Sequence, residues 1–218
     1  ITNGTISNFA SSGSTYTFTV TPQADGTVSM QLPAGTASDL AGNVNALVDS
    51  SIDVDLTAPT LSIVLPTTVQ AGAFLAEFNF SESVLGFVAS DINVTNGNLS
   101  NFAGSGSSYT ATITPVSDGQ VDIGVSAAVA QDIAGNDNES ASGSVEFDQT
   151  APELTIIGPT TAQPASFDVS FSFTESVQGF DSTDITVTNA QLSNFSGSGS
   201  LYTATLAPNS DGSVSVTV

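Results

Sequence analysis

Along much of the chain, apolar and polar residues alternate. Phe74, Ala76, Phe78 and Phe80 take turns with Leu75, Glu77 and Asn79. Tyr109, Ala111 and Ile113 do the same with Thr110, Thr112 and Thr114, and Val121, Ile123 and Val125 with Asp122 and Gly124. Alternation with period two puts one side of each segment into a core and the other into water, which is the signature of a half-buried strand. The outer positions are rich in Thr and Ser, which suits strands and disfavours helices. Turn-forming residues separate the runs: Asn96-Gly97, Gly104-Ser105-Gly106 and Asp118-Gly119. The pattern predicts strands over 60–65, 74–80, 84–95 with a kink, 98–103, 108–114, 120–126 and 142–147. No stretch carries a convincing amphipathic-helix period. Phe78, Phe80, Phe87, Phe102, Tyr109 and the surrounding Val, Ile and Leu residues are the expected core.

The pattern recurs. ISNFASSGSTYTFTVTP begins at Ile6, LSNFAGSGSSYTATITP at Leu99 and LSNFSGSGSLYTATLAP at Leu192, 93 residues apart each time. The same offset relates Asp39 to Asp132, Asp55 to Asp148, Glu82 to Glu175 and Phe87 to Phe180, without insertion. A fixed period of this length describes an array of equal small domains rather than a solenoid. DLTAPTL (Asp55–Leu61) and DQTAPEL (Asp148–Leu154) mark the junctions, where Pro59 and Pro152 stiffen the chain. Residues 1–57 therefore read as the C-terminal part of one repeat, 58–150 as a complete repeat and 151–218 as the N-terminal part of a third. Seven short strands in 93 residues point to an all-β, Ig-like β-sandwich for each repeat.

Composition narrows the functions available. The 218 residues include 21 acidic side chains and no Lys, Arg or His, a formal charge of −21. Such a chain has no side chain to neutralise phosphates, so nucleic acid and anionic membrane surfaces are excluded as expected partners. Its carboxylates must be solvated, hydrogen-bonded, protonated or bound to cations. Cysteine is absent, which rules out disulfides and thiolate metal sites, and the lack of Lys rules out Lys–Asn cross-links. No apolar run approaches the length of a membrane-spanning helix, so no membrane insertion is expected.

The run FNFSESVLGFVASDINVTNGNLSNFAGSGSSYTATITPVSDGQVDI, followed by DIAGNDN and DQTAP, resembles the bacterial Ig-like domains of large repetitive surface proteins, including the extender regions of RTX-type adhesins and biofilm-associated proteins. The resemblance covers the whole chain. It implies a spacer that holds an adhesive tip away from the bacterial cell surface, outside the cell, and it implies rigidification by Ca²⁺ in several such arrays.

Topology offers a place for such a cation. If successive strands of residues 58–150 reverse direction, the loops after the second, fourth and sixth strands return to the pole where the chain enters. That gathers the linker Asp55 with Glu82, Asp132, Asn136 and Asn138 beside the preceding repeat's turns, which carry Asn3 and Asp25. Hard cations such as Ca²⁺ take six to eight oxygen ligands of this kind. At the second junction, Asp148, Glu175, Asn96 and Asp118 are the counterparts. Taken singly, each Asp or Asn reads as an Asx-turn or cap, and DIAGNDN lacks the EF-hand spacing. Asp91 and Asp184 read as turn or strand-start residues.

Catalysis is not expected. Ser-His-Asp, Cys-His and His-ligated zinc sites cannot be made from these residues, and carboxylates that recur with the domain period point to architecture. The leading expectation is a structural extender whose partners are the neighbouring repeats. One alternative is a filament or surface assembly built by homotypic chain–chain contacts or by completion of the partial end repeats. Another is a glycan- or protein-binding module acting through loops at one pole.

Overall fold

The computed structural model describes residues 1–218 and contains seventeen strands and no α-helix. It divides into Ile1–Gln149 and Thr150–Val218. In the first unit, residues 1–57 form β1 (Gly4–Ser12), β2 (Thr15–Pro22), β3 (Gly26–Leu32) and β4 (Val48–Val54). Then follow β5 (Leu61–Val64), β6 (Phe74–Phe80), β7 (Ile92–Thr95), β8 (Gly97–Ser105), β9 (Ser108–Pro115), β10 (Gly119–Val125) and β11 (Ala141–Phe147). The second unit has β12 (Leu154–Ile157), β13 (Phe167–Phe173), β14 (Thr186–Thr188), β15 (Ala190–Ser198), β16 (Leu201–Pro208) and β17 (Ser215–Thr217). No helix anywhere in the chain is long and apolar enough to cross a membrane.

Residues 58–149 pair as a four-stranded sheet in the order β5-β6-β9-β8 and a three-stranded sheet in the order β11-β10-β7. Four strands in the order first-second-fifth-fourth, facing the third, sixth and seventh, is the constant-type Ig sandwich. The alternation read from the sequence is the alternation of burial: Phe74, Ala76, Phe78 and Phe80 of β6 point inward, as do Tyr109, Ala111 and Ile113 of β9 and Val121, Ile123 and Val125 of β10. Each large apolar side chain removed from water in this way contributes about 1.5–3 kcal/mol. Phe87 is the hub of the aromatic cluster. Its ring centroid lies 5.1 Å from those of Phe80 and Tyr109, 5.7 Å from Phe102 and 6.0 Å from Phe78. Phe180 repeats the arrangement in the second unit with Phe171, Phe173, Phe195 and Tyr202.

Two local features depart from the predicted strands. Over 84–95 only Ile92–Thr95 is a strand. Gly86 takes φ 88°, and a single 3₁₀ turn, Ala89–Asp91, is closed by the Asp91 carboxylate accepting from the Val88 N–H at 2.8 Å. Asp184 does the same for the Asp181 N–H. Within β8 the register slips between Ser100 and Ala103, where Asn101 adopts φ 51°. Asn8 and Asn194 occupy the same bulge in β1 and β15. The repeated Ser-Asn-Phe is thus a bulge motif, with Asn tolerating the left-handed backbone. At the adjoining turn, a side chain on Gly104 (φ 135°) would sit 2.4 Å from the Ser108 carbonyl oxygen.

Residues 1–57 contain counterparts of β8 to β11 but none of β5 and β6. Phe9 and Tyr16 are accordingly 66% and 62% exposed, whereas Tyr109, at the position of Tyr16, is 6% exposed under β6.

Candidate metal centre

The DxAGN loop builds itself. The Asp132 Oδ1 accepts from the N–H groups of Gly135 (2.7 Å) and Asn136 (2.9 Å), and its Oδ2 accepts from the Asn136 amide at 2.8 Å. Gly135 at φ 94° makes the tight return. Asp39 closes its loop in a related way, its Oδ1 accepting from the Ala41 and Asn43 N–H groups and its Oδ2 from the Asn43 amide. The two loops differ in surroundings: Asp39 is exposed, and Asp132 is only 2% exposed. The linker ahead of residues 58–149 packs over Asp132.

That linker is held from both sides. Asn136 donates its amide to the Asp55 carbonyl at 3.1 Å. From the β2–β3 turn, the Asp25 carboxylate accepts from the Leu56 N–H at 2.6 Å and from the Thr57 hydroxyl. The loop after β6 is fastened to the loop after β10 by the mutual backbone pair of Leu85 and Gln131, at 2.7 and 3.1 Å. Asp55, Glu82 and Asp132, from three separate segments, consequently present carboxylate oxygens that all lie within 4.8 Å of one another.

With no cationic side chain nearby, this crowding perturbs titration. Burial pushes the Glu82 carboxyl above its ordinary 4.5, and the charges of Asp55, Asp132 and Asp25 push it further the same way. For Asp132 burial acts upward too, but hydrogen bonds from the Asn136 amide and from loop N–H groups outweigh it, and the carboxyl falls below 3.8. The Thr57 hydroxyl and then the Leu56 N–H lower Asp25. Burial and the neighbouring carboxylates thus favour the neutral form of Glu82.

Of the residues expected at this pole, Asp55, Glu82 and Asp132 come together, and Asn136 joins the linker to the loop. Asn138 has another occupation. Its Oδ1 accepts from the Val129 (2.9 Å) and Ala130 (2.8 Å) N–H groups, and its Nδ2 donates to the Ser126 and Glu139 carbonyls. Its amide serves the frame of the loop. Asn96 is similarly engaged with Ser117 and Gln120, at φ 59°, and Asn3 with Ala24. These asparagines clasp the turn some twenty residues downstream, a pairing that needs the fold and has no local sequence signal. Asp118 accepts from the Gln149 N–H, the counterpart of the Asp25–Leu56 bond. Asp148 follows β11 in the first unit and Glu175 follows β13 in the second.

Residues 1–54, 55–149 and 148–218 each match the family model described as bacterial Ig-like domain. These regions span the chain, which belongs to that family. Comparison with curated protein sequences gave no match. Among solved structures, the chain is similar to one titled crystal structure of invasin, a bacterial integrin-binding protein, with 18% identity and a TM-score of 0.42. The similarity covers 93% of this chain and 44% of that one, so the chain spans less than half of the invasin structure.

Proposed function

We propose that this chain is a stretch of a structural spacer from an extracellular bacterial surface protein of the adhesin type, in which Ca²⁺ stiffens the junction ahead of residues 58–150. The observation behind the metal is the convergence of Asp55, Glu82 and Asp132 within 4.8 Å in a chain without Lys, Arg or His. The residues fit a hard cation. They supply three carboxylates and no soft ligand, and water would complete the six to eight oxygens that Ca²⁺ takes. One ligand lies on the interdomain linker and two on the following domain, so a bound ion would tie linker to domain and offset the like-charge repulsion. Tandem repetition of small sandwiches, with carboxylates recurring at the domain period, supports a mechanical role over a catalytic one.

Small-angle scattering of the chain with Ca²⁺ and with EDTA tests the stiffening. The expected result is a longer, stiffer particle and a higher melting temperature with Ca²⁺. Identical scattering and melting in both conditions would remove the metal from the proposal. Antibody labelling of intact cells that carry the parent protein tests the surface location independently.

A further inference from the structure

Asn96 is followed by Gly97, and Asn3 by Gly4. In that dipeptide the glycine nitrogen has no neighbouring side chain to shield it, and it can attack the Cγ of the asparagine before it. A bond forms between the glycine nitrogen and Cγ, and the bond from Cγ to Nδ2 breaks. Nδ2 leaves as ammonia with the proton that the glycine nitrogen gives up, and a five-membered succinimide remains. Water then opens the ring at either carbonyl, giving aspartate or isoaspartate, so the step needs no oxidant and no enzyme. Packing imposes the glycine at this place. A Cβ on Gly97 would lie 3.0 Å from the Val94 Cγ1 and 3.2 Å from the Ile113 Cγ2, and one on Gly4 would lie 3.1 Å from the Val20 Cγ1. The third repeat carries Ala190 there, with Leu206, which is not branched at Cβ, in the place of Ile113.

We propose that Asn96-Gly97 is a fold-protected self-modification site, silent while residues 58–149 are closed and reactive once they open. In the fold the Asn96 amide is committed at both ends. Its Oδ1 accepts from the Ser117 N–H at 3.2 Å and from the Ser117 hydroxyl at 2.8 Å. Its Nδ2 donates to the Ser117 carbonyl at 2.8 Å and to the Gln120 carbonyl at 3.3 Å. Closing the ring turns the amide out of this arrangement and breaks all four bonds. Asn189 has the same posture, at φ 60° with bonds to Ser210 and Ser213, so the third repeat offers the same clasp ahead of alanine. The product cannot restore the clasp. A carboxylate has no N–H to donate, and the Ser117 and Gln120 carbonyls would face a negative oxygen. The clasped turn also carries Asp118, which accepts from the Gln149 N–H at 2.8 Å, so the damage reaches the chain where it leaves the domain. A domain that stays open long enough is thus marked permanently. This chemistry does not rest on the spacer reading.

Peptide mapping by mass spectrometry tests it. The full chain is kept in mildly alkaline buffer, in sub-denaturing urea and in denaturing urea, then cut with chymotrypsin, since it offers no Lys or Arg to trypsin. Unfolded, Asn96 should convert at least tenfold faster than Asn189, because the Ala190 side chain hinders the attack. Folded, Asn96 should slow at least a hundredfold, the factor equivalent to about 2.7 kcal/mol of opening free energy. Sub-denaturing urea should restore its rate in step with the fraction of opened domain. Equal rates at Asn96 in buffer and in denaturing urea, or conversion no faster than at Asn189 when unfolded, would overturn the proposal. Gly97→Ala combined with Ile113→Leu installs the third repeat's pair. In denaturing urea, where folding plays no part, it should bring the rate at Asn96 down to that at Asn189, and an unchanged rate would count against the proposed attack. Asn96→Asp supplies one product directly. It should lower the urea midpoint at least as far as Asn96→Ala does, and failure to fold would support the same conclusion. A midpoint equal to the parent's would refute the permanent damage.

Discussion

Replacing Phe87 by Ala removes the centre of the aromatic cluster and loosens the loop that carries Glu82. The side chain is 5% exposed, and its ring meets four others, Phe78, Phe80, Phe102 and Tyr109. Deleting a buried Phe costs about 3–5 kcal/mol through lost transfer energy and the residual cavity. Aromatic pairs in tilted and edge-on geometry are worth about 0.5–1.5 kcal/mol beyond area, and four of them place the loss near the top of that range, about 4–5 kcal/mol. For a domain of this size each kcal/mol corresponds to roughly 4–8 °C, so the melting temperature should fall by about 16–40 °C. Urea unfolding followed by the near-ultraviolet circular dichroism of Tyr109, with Tyr16 and Tyr202 changed to Phe, reads the affected domain alone. Phe9→Ala is the control. Phe9 stands where Phe102 stands, 93 residues earlier, but is 66% exposed, and its loss should cost under about 1 kcal/mol. A loss under about 1 kcal/mol for Phe87→Ala would refute the hub, and a large loss for Phe9→Ala would refute the account of why that face is open.

Glu82→Gln removes one charge from the carboxylate trio; in EDTA the variant should melt higher than the parent, and its response to Ca²⁺, read by calorimetry, should shrink. The pH dependence has two limbs. Glu82 titrates above 4.5 in the folded state, so without metal its ionisation opposes folding, and stability should rise as pH falls from 7 towards 4.5. Asp25, Asp39, Asp132 and Asp181 are lowered below 3.8, so their contribution is present above that value and is lost as pH falls through their folded pKa values. Thermal melts in EDTA across this range should therefore pass through a maximum, and a monotonic fall from pH 7 would contradict the Glu82 shift. Gly104→Ala should prevent or severely weaken folding of residues 58–150, because the added carbon would lie 2.4 Å from the Ser108 oxygen and 2.5 Å from the Tyr109 Cα; a native-like circular dichroism spectrum at 25 °C would count against that reading. Asn96→Ala should cost about 2–3 kcal/mol, from a left-handed backbone without Asn and the loss of the clasp on Ser117, and Asn96→Gly should recover part of it, as urea titration can show.

Much of the fold is legible along the chain because a strand's burial has period two and a sandwich domain's turns carry their own residues. Phe78 and Ile123 announce their faces through their neighbours, and DxAGN closes itself whether exposed at Asp39 or buried at Asp132. The family follows from the same repeated motifs, which match over the whole chain. The site was only partly legible. Alternating strand direction brings the right poles together, but it does not say which oxygens meet. Asn138 and Asn96 carry the ligand chemistry of their neighbours, and only three-dimensional contacts show that their amides are taken up by Ala130 and Ser117. The bulge at Asn101 and the short 3₁₀ turn before β7 were hidden for a related reason: both depend on a backbone conformation that the hydrophobic period does not encode. The sequence by itself determines the repeat, the inward residues and the absence of any cation to balance 21 acids, because these are properties of residue type and spacing. Only the tertiary structure decides that Asp55 is drawn over Asp132 by Asn136 and Asp25, and that Gln70 meets Phe147 in parallel. Those contacts join residues from 31 to 81 positions apart, and the distance between such partners is set by how the sheets stack.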